Sequence, residues 1–335
     1  MPKISIVIPV YNAEKFLNET LNSVANQTFT DFECVIVNDG SMDNSLEIIN
    51  SFIEKDDRFK CLTISNSGCA NIPRNIAVDN SSSGLIFNLD ADDVIDLDCL
   101  EKMYNRQQTT NSDIVLLQLI GYKRDLEGEL YRLPLSDFDK NKIYTGKEAC
   151  SLTIGGWKIT CSGMLTKKSL YEGVPIGKLM NSDELTSRYL LYSADIVAVT
   201  NTNYHYRNLA DSISKGISIK LFDKLIVDSQ LDDFIIARYS ETSEVPKRMR
   251  NARLFNLIYL YSDFKKYTSC FSKLQRKQIK EIFRKSYFSQ NFVQLKKELP
   301  KHLGMMFLTS FQLFKINAAV YVFLKKMKGS NYILK

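Results

Sequence analysis

Short apolar β-prone runs alternate with helix-period segments over the first 120 residues, and this alternation restricts the fold more than any other feature of the chain. Residues 4–9, 34–37, 60–64, 85–89 and 114–119 are each four to six residues long and rich in apolar or β-branched side chains. That length suits strands and is too short for helices. Between them, Phe16, Leu17, Leu21, Val24 and Ala25 recur at helical spacing, as do Leu46, Ile49, Phe52 and Ile53, and a third helix is predicted over residues 73–78. Strands that are apolar on both faces, joined through helices by short connections, predict an α/β fold: a Rossmann-like, mixed but mostly parallel sheet flanked by helices. In such a sheet ligands gather at the C-terminal ends of the strands.

Polar clusters stand at three of those ends. The first strand runs into Pro9-Val10-Tyr11-Asn12-Ala13-Glu14, and the second into Asn38-Asp39-Gly40-Ser41. The fourth ends in Asp90-Ala91-Asp92-Asp93. Carboxylates this close repel one another unless a cation shares the space, and at a strand end the fitting cation is a hard divalent metal carrying a phosphate. Tyr11 offers an aromatic face for a base, Asp39 an acceptor for an N–H, and Gly40 close backbone approach. Each motif alone also reads as a turn and helix cap; their coincidence at successive strand ends argues for a nucleotide site.

Ser5–Asn12 in sequence (residues 5–12), Val37-Asn38-Asp39-Gly40-Ser41, Asn66-Ser67-Gly68 with Arg74-Asn75, and Asp90-Ala91-Asp92-Asp93 together resemble the family-2 glycosyltransferases of GT-A fold, bacterial surface-polysaccharide type. The resemblance covers about the first 215 residues. It implies inverting transfer of a sugar from a nucleotide donor, usually UDP-linked. By that likeness Pro9, Tyr11, Glu14, Asp39 and Ser41 would hold the donor's nucleoside. Asp90 and Ala91 would lie by the ribose, Arg74 by the donor, and Asp92 would hold Mn²⁺ or Mg²⁺ on the diphosphate. Asn181-Ser182-Asp183-Glu184 resembles the acidic pair that opens a helix in the family, with Ser182 where Glu is usual, which makes Asp183 the catalytic base and Glu184 an acceptor-side carboxylate. Tyr204-His205-Tyr206-Arg207 resembles the segment closing the catalytic domain: Arg207 would reach the diphosphate, and His205 would complete the metal shell. A further departure is the five residues between Gly68 and Arg74, where the family commonly has four. Trp157, the single tryptophan, is read as an acceptor-stacking residue, with a core aromatic as the alternative.

The expected enzyme is a metal-dependent hexosyl- or N-acetylhexosaminyl-transferase. Its acceptor would be a saccharide or lipid-linked oligosaccharide in capsule, lipopolysaccharide or exopolysaccharide synthesis. Two rivals stay open: a sugar-phosphate nucleotidyltransferase, and a non-catalytic assembly subunit that binds a sugar-nucleotide or carbohydrate.

Charge divides the chain. Residues 1–246 hold 24 Lys+Arg against 35 Asp+Glu, whereas residues 247–335 hold 20 against 3. Chemistry is expected in a catalytic domain over residues 1–215, with a nucleotide-sugar half (1–120) and an acceptor half (121–215). Residues 216–335 read as a basic helical region. Within it, residues 303–324 carry a single charge, Lys315, between lysine-rich flanks. A bilayer span is disfavoured because a central Lys alone costs about 2.5–3.5 kcal/mol. The segment is expected either to lie on an anionic membrane surface or to form the core of a bundle or homodimer interface. No nucleic-acid module accompanies the basic charge. Residues 4–10 are too short for a secretory signal, and seven cysteines without a C-x-x-C pair suit a reducing compartment. The expected location is cytoplasmic, peripheral on the inner face of the cell membrane.

Overall fold

In the computed structural model of the protein, the residues described are 1–124, 126–133, 139, 141–155, 161–207 and 218–327. They fall into two compact units. The first carries everything up to Arg207 except residues 154–155 and 179–181, which group with the residues from Ser218 onward in the second. The boundary expected at residue 215 lies outside the described residues.

The first unit begins β1 (Ile4–Val10), α1 (Glu14–Ala25), β2 (Phe32–Asn38), α2 (Ser45–Ile53), β3 (Phe59–Thr63), α3 (Asn71–Asp79) and β4 (Leu85–Asn88). It continues with β5 (Val94–Ile95), α4 (Cys99–Thr110), β6 (Ile114–Arg124), β7 (Glu127–Leu133), α5 (Gly146–Thr153), β8 (Met164–Lys167), α6 (Ser182–Ser193) and β9 (Val197–Tyr206). The strands make one sheet in the order β3-β2-β1-β4-β8-β6-β9-β5, with β7 added beside β6. From β3 to β4 every pairing is parallel. β8 is antiparallel to both β4 and β6, while β6 and β9 are parallel.

The continuous apolar character of the first strands has its reason in this geometry. Ile4, Ile6, Ile8 and Val10 of β1 join Leu17, Leu21 and Val24 of α1 in one core. Val7, on the opposite face of the same strand, packs with Val35, Val37, Ala77 and Val78 in another. A strand covered by helices on both sides has no solvent face to keep polar.

The second unit is helical: α7 (Asp223–Ile236), α8 (Glu244–Lys266), α9 (Lys273–Phe288), α10 (Phe292–Glu298), α11 (Lys301–Phe307) and α12 (Phe311–Met327). Its core is aromatic, with Phe222, Tyr261, Phe264, Phe283, Tyr287, Phe307 and Phe314 in one buried cluster. Residues 303–324 are therefore not one helix. They break between α11 and α12 with a bend of 108°, and Phe307, Leu308, Phe314, Ala318 and Val322 enter the bundle core. Among the described residues no single helix is long and apolar enough to cross a membrane.

Candidate active site

The ends of β1 and β2 are stitched together by side chains. Asn12 takes a left-handed conformation (φ 48°), its backbone N–H donates to Ser41 Oγ (3.0 Å), and its Oδ1 accepts from Met42 N (2.8 Å). Helix α1 has no capping side chain of its own. Instead the N–H groups of Ala13 and Glu14 donate to Ser45 Oγ (2.8 Å) and Asp43 Oδ2 (3.0 Å) from the next loop, which satisfies donors that a helix start leaves open. Glu14 returns the connection, its Oε2 accepting from the backbone and side-chain nitrogens of Asn44 at 2.9 and 2.7 Å.

The loop after β3 closes on the same place. Gly40 lies so near it that a Cβ there would meet Asn66 N at 2.8 Å, and its φ of +69° also favours glycine. Asp39 is buried and accepts from Ser67 N (2.7 Å) and Ser67 Oγ (2.9 Å). Tyr11 is exposed at the rim, while Pro9 and Ser41 are half-buried.

Beyond this cradle lies the acidic end of β4. Arg74 is 5% exposed; its guanidinium donates to Asn71 Oδ1 (2.7 Å) and Asp90 Oδ1 (2.9 Å). Asp90's other oxygen accepts from Ser162 Oγ (2.8 Å), and its backbone N–H donates to Tyr204 Oη (3.1 Å). Asp93 is fully buried, accepting from Tyr204 Oη (2.7 Å) and Arg207 N (2.7 Å), and so ties the acidic turn to the end of β9. Burial, with Asp92 and Asp90 nearby, pushes its carboxyl well up. Ala91 is fixed through its carbonyl, which accepts from Thr20 Oγ1 at 3.0 Å.

Asp92 is left under electrostatic stress: burial, then the charge of Asp90, raises its pKa to about 6. Among the described residues no three His, Cys, Asp or Glu side chains form a protein-only metal cage. One or two carboxylates completed by substrate phosphates is the ordinary arrangement for Mg²⁺, and a cation would relieve the stress on Asp92. The residues therefore fit a divalent ion that arrives with a phosphate.

The first turn of α6 brings Asp183 within electrostatic reach of this cluster, with Glu184 next to it in the same turn. Asp183 is raised above the usual carboxylate range by burial; the Arg74 guanidinium works against that shift, and Glu184 and Asp90 add to it. Asp183 thus shares one electrostatic neighbourhood with Asp90 and Arg74, about a hundred residues away in sequence. Ser182 is buried against Gly177, where a Cβ would come within 2.3 Å of the serine Cβ.

Two expected residues are placed differently. His205 donates or accepts at both ring nitrogens, Nδ1 to Tyr122 Oη and Nε2 to Asp96 Oδ1, each at 2.7 Å. Its metal-ligand role is corrected accordingly: a ring engaged on both sides has no lone pair left for a metal, and the histidine instead joins β6, β9 and the turn before α4. Arg207 pairs with Glu19 and lies 4.9 Å from the Phe16 ring centroid, so it anchors on α1 while its charge still favours ionised Asp92. Trp157 lies outside the described residues. Ser162, Tyr204 and Glu19 are the members that sequence reasoning missed; a single Ser in a glycine-broken stretch carries no local signal, and Glu19 looks like any exposed helix residue.

The model of the glycosyl transferase family 2 matches residues 5–174. The glycosyltransferase GlyG of Streptococcus pneumoniae is 28% identical over 220 residues, 63% of this chain and 73% of that protein. The poly(ribitol-phosphate) beta-N-acetylglucosaminyltransferase TarP of Staphylococcus aureus is 37% identical over 147 residues, 43% of each, so the aligned part spans under half of that relative. Among solved structures, residues 1–349 of S. aureus TarS in complex with UDP-GlcNAc give a TM-score of 0.69 at 19% identity, over 99% of this chain and 93% of that one. The likeness shows a shared fold, GT-A, C-terminal helices included.

Proposed function

Because the chain belongs to glycosyl transferase family 2, we propose that it moves one sugar, with inversion, from a UDP-sugar to a saccharide acceptor in the synthesis of a bacterial surface polysaccharide. One observation carries this reading: Asp183 at the start of α6 shares the surroundings of the Arg74–Asp90 pair at the end of β4. An acid–base group and a phosphate-side cluster then face one reacting centre.

The cradle formed by Tyr11, Asp39 and Ser41 takes the uracil and ribose side of the donor, with Pro9 and Glu14 holding its shape. Arg74 presents a planar, charged donor group toward the diphosphate and steadies Asp90. Asp92 is the residue that would hold Mn²⁺ or Mg²⁺; when bound, such an ion neutralises charge on the departing diphosphate. Asp183 accepts the proton of the acceptor hydroxyl as its oxygen attacks the anomeric carbon. Burial raises the basicity of this carboxylate above that of a free Asp, and the Arg74 guanidinium acts in the opposite direction, favouring its ionised form. Glu184, beside it, faces the acceptor side.

The test is turnover of a panel of UDP-sugars with a saccharide acceptor, with and without Mn²⁺ or Mg²⁺. Asp183→Asn is expected to lower kcat by about 10²- to 10⁴-fold, the range for removing a general base, while donor binding persists. Asp92→Ala is expected to abolish any metal-stimulated rate. Full activity in both folded variants overturns the site assignment. Release of pyrophosphate from a sugar phosphate and a nucleoside triphosphate replaces the reading with nucleotidyl transfer.

A further inference from the structure

Helix α12 is apolar on two faces, which a bundle helix has no need to be. One face, Phe314, Ala318 and Val322, is buried in the core. On the other, Leu313, Ile316 and Val320 are 41%, 64% and 47% exposed. Their spacing of three and four residues sets them in one stripe along the helix. The bend of 108° after α11 and the hydrogen bond from Asn317 Nδ2 to Met306 O (2.9 Å) hold α11 alongside. On α11, Met305 is 67% exposed and follows exposed Lys301 by one helical turn. On α10, Lys296 and Lys297 are exposed in the same way beside Val293. Across residues 247–335, 20 basic side chains stand against 3 acidic ones.

We propose that the outer stripe of α12, with Met305 and the lysines of α10 and α11, docks this chain on an anionic lipid surface. Exposed apolar side chains on a helical unit that also exposes lysines on α10 and α11 suit a helix lying in the interface, with its apolar face among the acyl chains and cations among the headgroups. A nucleic acid would use the charge and leave the apolar stripe in water, and a second copy of this chain would set one strongly basic surface against another. The inference stands apart from the transferase reading, since it rests on the helical unit alone.

The test is co-sedimentation of the full chain with vesicles of phosphatidylcholine alone and with phosphatidylglycerol added. Binding is expected only to the anionic vesicles and is expected to weaken at high salt. The triple variant Leu313→Ser, Ile316→Ser, Val320→Ser is expected to bind at least tenfold more weakly with its melting temperature unchanged, because these side chains lie outside the core. Equal binding by the triple variant, or no binding to anionic vesicles by the parent chain, overturns the proposal. A concentration-dependent dimer that the triple variant abolishes also overturns it, by assigning the stripe to a second copy. Donor turnover measured with a soluble acceptor separates either result from a failure of the catalytic assignment.

Discussion

Asp92, Asp90 and Asp93 are neighbours in sequence yet sit in three different environments. Asp90 is held by Arg74 and Ser162, and Asp93 is used up in bracing β9. Asp92 is not braced by another side chain in that way among the described residues, and burial with the charge of Asp90 raises its pKa to about 6, which suits a ligand awaiting a cation. The sign of its linkage follows. With a folded-state pKa above the unfolded value near 3.8, Asp92 favours the folded state below that pH, and its contribution is lost as pH rises through about 6. Two units correspond to at most about 3 kcal/mol. Metal-free Asp92→Asn is therefore expected to melt higher than the parent at pH 7.5 and nearly with it at pH 4. Added Mn²⁺ is expected to raise the parent's melting temperature at pH 7.5 and leave the variant's in place. A pH-independent difference between the two removes Asp92 from this role.

At the scale of elements, the helices and strands through β4 were legible because each has its own periodicity, and the polar ends of β1, β2 and β4 were legible as clusters. β5, β8 and α4 were not. β5 has two residues and β8 four, and both exist through pairing with β9, or with β4 and β6, far along the chain. Helix α4 shows a sparse stripe, with Leu100 and Met103 buried among polar residues. One polar side chain joins several of these elements: Glu33 of β2 accepts from Ser5 Oγ (2.5 Å) on β1, from Ser82 N (2.6 Å) before β4, and from Lys60 Nζ (2.7 Å) on β3. Its pKa falls to about 2 because these hydrogen bonds outweigh its burial. A depressed pKa stabilises the fold above the unfolded value of about 4.5, and that stability is lost as pH falls toward 2. Glu33→Gln is expected to cost about 1–3 kcal/mol in urea unfolding at pH 7, the range for hydrogen bonds to a charged group, and to cost little near pH 2.5. Equal stability of the two proteins at pH 7 refutes the joint.

For the whole molecule, the division of charge along the chain runs close to a division of labour: the acidic part carries the sheet, the candidate site and α7, and the basic part carries the helical unit from α8 onward. The same greasy segment serves that unit in two ways, and substitutions on its two faces separate them. Phe314 is fully buried, with ring centroids of Tyr261 and Tyr287 at 5.6 and 5.2 Å. Phe314→Ala is expected to cost about 3–5 kcal/mol, as a large-to-small change in a packed aromatic core does, and to lower the melting temperature clearly, whereas Ile316→Ser is expected to leave it unchanged. Similar effects at both positions contradict the two-faced helix. The sequence by itself determined the α/β alternation, the strand ends that carry polar groups and the family, because periodicity and strand-end motifs are local properties of the chain. Only the tertiary structure decided that Asp183 comes within electrostatic reach of Arg74 and Asp90, that His205 is spent on Tyr122 and Asp96, and that residues 303–324 bend into a core helix with an outer stripe. Those outcomes depend on which distant surfaces are brought together and buried, and burial and partnership are not properties of any residue alone.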